Sequence, residues 1–123
     1  MLALLAVAAA LHHCPAASIG PGSLSHGGTA GASCLLSSFQ NGCKTVDYTL
    51  SAFGVDTVHS ETFRVDRLNG RCVVVIVESF RVVPQPPRST TRLTCTRVHR
   101  LNGDVVADRC TPRRTVSLTK LSS

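Results

Sequence analysis

Tryptophan is absent from this chain of 123 residues, and the aromatic side chains amount to one Tyr and four Phe. That scarcity removes the aromatic faces on which unpaired bases and sugar rings stack, so sequence-specific nucleic-acid binding is excluded. Lysine is scarce too, with Lys44 and Lys120 set against eleven arginines. No Cys-x-x-Cys pair occurs, and from Cys34 onward 8 to 28 residues separate successive cysteines. Such spacings do not form the ligand knuckles of a zinc site. The Asn-x-Ser/Thr glycosylation triplet, the G-x-S-x-G elbow, the H-E-x-x-H helix motif and the phosphate-binding glycine loop are all missing. The sequence therefore calls for no cofactor and no metal, and the expectation is a protein that is not an enzyme.

No apolar stretch reaches the about 20 residues that a membrane-spanning helix needs. The longest, MLALLAVAAAL at residues 1–11, has the length of the apolar region of a secretory signal. No Lys or Arg precedes it. Small residues suited to cleavage fall at Ala8 and Ala10, at Cys14 and Ala16, and at Ala30 and Ala32. The expectation is a signal peptide over residues 1–17 and a secreted, extracellular protein; the alternative is the start of a buried helix. Six cysteines, at 14, 34, 43, 72, 95 and 110, point the same way. That density in a small chain reads as a disulfide framework made in an oxidising compartment. His12-His13-Cys14 looks like a ligand cluster but would leave with the signal. An odd cysteine then remains, free or bonded to a second chain as a covalent dimer. The bulky histidines before Cys14 argue against a lipoprotein.

Residues 18–33 belong to a Gly, Ala, Ser and Pro stretch without periodicity, expected to form a flexible leader. A β domain is expected over 34–112 and a basic tail, available as an edge strand, over 113–123. Within the domain the apolar period is two. Residues 45–53 place Val46, Tyr48, Leu50 and Ala52 on one face, the pattern of a half-buried strand. Further strands are expected at 57–68, 72–83, 90–101 and 104–111. The third, nearly all apolar and β-branched, belongs in the middle of a sheet. The proline-rich segment 84–88 cannot pair and connects two strands. Only residues 34–42 leave room for a turn of helix. The fold class is all-β, a small antiparallel sheet or sandwich of about five strands; the alternative is α+β with one short N-terminal helix.

The tetrapeptide Arg-Leu-Asn-Gly occurs twice, at 67–70 and 100–103. Asn-Gly between strands signals a two-residue hairpin loop, because both residues accept the positive φ of a type I′ turn. Such a turn fixes register. In the first hairpin Val65 faces Val74, Phe63 faces Ile76 and His59 faces Phe80, on the presumed core face with Cys72 and Val82. In the second, Val98 faces Ala107, Arg97 faces Asp108, and Cys95 falls opposite Cys110. Directly opposed residues lie close enough for a disulfide, so a Cys95–Cys110 bond is expected. Cys34–Cys43 could close a local loop; alternatively Cys72 bonds Cys34 or Cys43. Seven of the eleven positions in 63–73 and 96–106 are identical, which reads as a duplicated hairpin. Two hairpins, the second with a disulfide across it, resemble the sheet of cystatin-like domains over residues 57–110. The long N-terminal helix, the Q-x-V-x-G loop and the Pro-Trp loop of that family are missing, so the resemblance implies a sheet topology and no activity.

The register also places Glu61 opposite Glu78. Opposed like charges destabilise a sheet, so the pair serves as acid and base in a small hydrolase, or the hairpin ends earlier, or an arginine sits between the two. The net charge of +6 lies wholly in residues 88–123, with Arg97, Arg100, Arg113 and Arg114 as candidate contacts for an acidic, heparin-like polymer. His99 reads as a surface residue. The leading expectation is a binding or inhibitory module acting on another extracellular protein through its loops. Arg67, Gln85 and Arg88 are the candidate loop contacts.

Overall fold

The computed structural model describes residues 12–19, 25–26 and 29–121. Most of the expected signal, residues 1–11, lies outside the described residues. Among the described residues nine strands form one sheet, with a single helix against one face. The elements run β1 His12–His13, β2 Ala17–Ile19, β3 Ser25–His26, α1 Ala30–Gln40, β4 Val46–Phe53, β5 Thr57–Leu68, β6 Arg71–Val82, β7 Arg88–Leu101, β8 Asp104–Thr111 and β9 Val116–Ser117. Strands β4 to β9 follow one another as antiparallel neighbours. The architecture is an all-β, disulfide-stabilised fold carrying one short helix, and it is a single sheet rather than a sandwich.

The two Asn-Gly turns do what their chemistry suggests. Asn69 and Gly70 have φ of 54° and 77°, Asn102 and Gly103 of 51° and 80°, the left-handed values a type I′ loop requires. The registers that follow hold along both hairpins, from Leu68↔Arg71 to Thr57↔Val82 and from Leu101↔Asp104 to Thr94↔Thr111. One face of the sheet carries the core. Its central row, Tyr48, Phe63, Ile76 and Leu93, runs across β4 to β7 and is buried throughout. The presumed core face of the first hairpin fades toward its open end, where His59 and Val82 are exposed and Phe80 is half-buried. On β7 the buried positions change phase between Cys95 and Val98, where Arg109 on the opposite strand takes a left-handed φ of 53°.

Helix α1 departs from expectation. Residues 30–33 belong to it, so the flexible leader does not reach Ser33. Ala32, Leu35 and Leu36 are buried, and Phe39 packs against the core. Their spacing of i, i+3, i+4 and i+7 is that of an amphipathic helix face. Gly31 lies where α1 passes closest to its surroundings; a Cβ there would run into the Pro15 carbonyl and the Tyr48 ring. The rest of the expected leader is also partly built in. Residues 17–19 run parallel to β4 and pair with β3.

Three disulfides staple these parts. Cys14 bonds Cys34, Cys43 bonds Cys72, and Cys95 bonds Cys110. The local Cys34–Cys43 bridge is therefore replaced. Cys14 stands beside the helix because the amide after His13 donates to the Asp47 carbonyl at 2.7 Å, which fixes β1 along β4. With Cys14 in place no cysteine is left free; an odd thiol, at Cys34, arises only in a chain that has lost Cys14.

Candidate functional site

Glu61 and Glu78 face each other on β5 and β6, one row beyond the apolar centre on the same face. Glu61 is 2% exposed, the one charged residue buried among the described residues. The register brings the two together, and the tail supplies what makes the pair tolerable. Arg114, in the segment after β8, donates from both terminal nitrogens to the two Glu78 oxygens, at 3.1 and 2.9 Å. Glu61 hydrogen-bonds Glu78 as well. The Arg114 guanidinium supplies the opposite charge beside the two carboxyl groups. The Arg114 guanidinium outweighs burial and holds the Glu78 carboxyl below its ordinary value, with Glu61 and Thr91 adding hydrogen bonds. Charge-assisted, two-pronged contacts of this kind are strong and directional. Chemically the arrangement is a clamp that fastens the tail to the sheet. Sequence reasoning placed Arg114 among contacts for a polyanion; the structure commits its guanidinium to Glu78.

The same tail is held twice more. Tyr48 donates to the Leu118 carbonyl at 2.7 Å inside the core. Burial first, then the carboxylates of Asp104 and Glu61, push its phenol up to about 12. Asp104 accepts from Ser117 and Thr119, each at 2.6 Å. Burial raises the Asp104 carboxyl, but hydrogen bonds from Ser117, Thr119 and the Val105 amide outweigh it, and nearby Lys120 adds to them, so the net shift is downward.

The arginines of the repeated tetrapeptide also have structural work. Arg67 donates to the Gly42 carbonyl at 3.0 Å, just beyond the C-terminus of α1, where a cation meets the negative end of the helix dipole. Arg100 donates to the Ser33 hydroxyl at 3.4 Å, in the first turn of the same helix. The two copies thus reach for opposite ends of α1. Arg67 stands beside the first Asn-Gly turn, while Gln85 and Arg88 belong to the connector at the other end of the sheet. Arg97 lies 3.9 Å from Asp108. Arg113 is exposed, and so are Gln85 and Arg88. His99 is half-buried, 3.9 Å from the other oxygen of Asp108.

The opposite end of the sheet is built differently. The turn 54–56 and the connector 83–87 lie side by side there, tied by the Val83 amide donating to the Asp56 carbonyl at 2.8 Å. Six large apolar side chains are exposed among the described residues, and four of them, Phe53, Val55, Val82 and Val83, stand at this end. Beside them a groove of about 230 Å³ is lined by Phe80, Arg81, Val82, Gln85, Pro86 and Arg88. Phe80 in its lining meets the His59 ring edge-on, with centroids 4.6 Å apart. A second groove, of about 520 Å³, opens on the outer face near the first Asn-Gly turn and holds Arg71, Val73, Thr94 and Thr96. Sequence reasoning found Gln85 and Arg88 through the prolines around them. It missed Phe53 and Val55, whose signal was an apolar pair flanking a strand-ending glycine.

Among the described residues no helix is long and apolar enough to cross a membrane. The chain matches no known family model, no curated protein and no solved structure.

Proposed function

We propose that this chain is an exported, non-catalytic binding module that docks on another extracellular protein through the loop end of its sheet. One observation carries the reading: Phe53, Val55, Val82 and Val83 all stand exposed at this end of the sheet. Single exposed apolar residues are ordinary, whereas four at one end of a sheet, beside a groove lined by Arg81, Gln85 and Arg88, have the composition of an interface. The Val83–Asp56 bond orders the two loops in advance, which lowers the entropy lost on docking. Three disulfides support export, since such bonds persist in oxidising compartments. The Glu61–Glu78 pair is taken as structural, because Glu61 is buried and Glu78 is already occupied by Arg114. Polyanion binding has weaker support: Arg114 and Arg100 are engaged within the fold and Arg97 lies near Asp108.

The test immobilises the exported protein beside two variants, Val55→Asp/Val83→Asp and Arg97→Glu/Arg113→Glu. Each is exposed to the extracellular proteins of the producing organism. Loss of a central apolar contact typically costs an interface about tenfold or more in affinity. The loop variant should therefore lose its partner while the arginine variant keeps it. Equal retention by all three contradicts the reading. Loss in the arginine variant alone, with release at modest salt, hands the function to the polyanion alternative.

A further inference from the structure

Phe80 and Arg88 stand opposite each other on β6 and β7 because the register slips. Glu78 pairs with Thr91 and Ser79 with Ser89, so β7 carries one extra residue there, and Arg88 moves into the place across from Phe80. An unbroken register would set Arg88 against Arg81. Bulges of this kind re-aim a side chain and are common beside functional sites. The connector 83–87 folds back in the same place, where the Gln85 amide donates to the Val82 carbonyl at 2.8 Å. Phe80, Arg81, Val82, Gln85, Pro86 and Arg88 thus come to line one groove of about 230 Å³. We propose that this groove receives a short linear segment of the partner protein in which one Asp or Glu stands beside apolar residues. The proposal rests on the loop-end binding reading above.

Volume and lining select the occupant. Pockets for cofactors and drug-sized ligands run to about 300–1,000 Å³; this groove falls below that range and suits inserted side chains. Phe80, Val82 and Pro86 offer apolar contact. Arg81 and Arg88 offer planar guanidinium groups, whose fork of donors matches a carboxylate. No acid of the chain occupies them. The sequence has seven acidic residues, and all lie among the described residues. Asp47 pairs with His13, Asp66 with Arg64, Asp108 with Arg97 and His99, and Glu78 with Arg114. Glu61 bonds Glu78, and Asp104 holds Ser117 and Thr119. Asp56 stands exposed on the neighbouring turn. Among the described residues no ion pair reaches Arg81 or Arg88. Cations of one sign in a cleft focus the field on an incoming acid.

The surroundings decide between a protein segment and a sulfated polymer. Phe53, Val55, Val82 and Val83 stand exposed at the same end, and a polyanion would leave them in water. An acidic residue with apolar neighbours meets both demands, its carboxylate on the arginines and its neighbours on the apolar side chains. A linear segment loses entropy when it orders. The receiving loops lose little, because the Val83–Asp56 and Gln85–Val82 backbone bonds already hold them.

The test selects peptides from a random linear library displayed on phage, with the disulfide-bonded full chain as bait. The recovered sequences should share an Asp or Glu with apolar residues beside it. One such peptide, synthesised with blocked ends, should bind Arg81→Glu/Arg88→Glu about tenfold more weakly or worse. Added salt should weaken its binding to the parent protein. Reselection on the variant should replace the acid with Lys or Arg. Arg88→Glu alone, at an exposed position, should shift binding in the same direction and serves if the double variant loses the parent's circular dichroism. Peptides without an acid, equal binding by the arginine variants, or a selection that recovers nothing each overturn the proposal. So does heparin binding that needs Arg81 and Arg88 in the absence of any selected peptide. Partner capture judges the loop-end reading separately. Acid-free peptides with capture lost in Val55→Asp/Val83→Asp overturn the groove's ligand and leave loop-end docking standing. Capture that survives in that variant overturns both.

Discussion

Replacing Arg114 with Ala tests how the tail is fastened. The change removes both hydrogen bonds to Glu78 and leaves the Glu78 carboxylate without its cation. A hydrogen bond to a charged group contributes about 1.5–3 kcal/mol, and stripping one partner from a buried ion pair costs about 3–5 kcal/mol. The Arg114 side chain is 32% exposed and that of Glu78 17%, so water recovers part of the loss. A destabilisation of about 2 kcal/mol at neutral pH is expected. Glu78→Gln removes the same charge pair from the other side. In a double-mutant cycle the two changes should couple by about 1–2 kcal/mol, since interacting residues fail to add. Urea unfolding followed by circular dichroism is the assay, because the chain has no Trp to report by fluorescence. Acidity supplies a second arm. The Glu78 carboxyl is held below its ordinary value of 4.5 in the folded protein. Its contribution is thus complete above pH 4.5 and is lost as the pH falls through the lower folded value. The gap between wild type and Arg114→Ala should close over that acid range. A coupling below about 0.5 kcal/mol, the ordinary scatter of additive sites, would refute the clamp, as would a gap that persists unchanged in acid.

Tyr48 is the only tyrosine, so ultraviolet titration of the folded protein reads it alone: its phenol should ionise near pH 12 rather than 10. Because the folded value is raised, its stabilising contribution is complete below pH 10 and falls away as the pH climbs toward 12; ionisation near 10 with the fold intact contradicts the buried bond to Leu118. Gly31→Ala should destabilise by about 3 kcal/mol, at the upper end for overpacking, because the new Cβ meets backbone at Pro15 as well as the Tyr48 ring; a melting temperature equal to wild type would mean that α1 does not approach β4 this closely. Replacing Cys95 and Cys110 together with Ala opens a loop spanning 15 residues and should cost about 3 kcal/mol in urea unfolding; an unchanged midpoint contradicts the bond.

The strands were legible because their signals are local. Alternation over 45–53 and the two Asn-Gly pairs fix face and register within a few residues, and nothing distant overrides them. Helix α1 was not legible, because its sequence, AGASCLLSSFQ, has little intrinsic preference for helix. Gly31 and four Ser or Cys residues weaken it, and its apolar stripe begins with the small Ala32. Short helices gain most of their stability from packing, here against β4 and through the bond to Cys14. Arg114 could not be assigned from the sequence for a related reason. The opposition of Glu61 and Glu78 announced that some cation was needed, but the tail that delivers it is placed by long-range contacts of Leu118 and Asp104. The loop end was half legible. Prolines marked the connector 83–87, whereas its adjacency to the turn 54–56 depends on the pairing of β5 with β6.

The most direct measurement is a disulfide map of the oxidised protein, by proteolysis without reduction and mass analysis of the linked peptides. The fold described here predicts Cys14 with Cys34, Cys43 with Cys72 and Cys95 with Cys110, on a chain that still carries His12 and His13. A Cys34–Cys43 link, or a mature chain lacking Cys14 with a free thiol at Cys34, would contradict it.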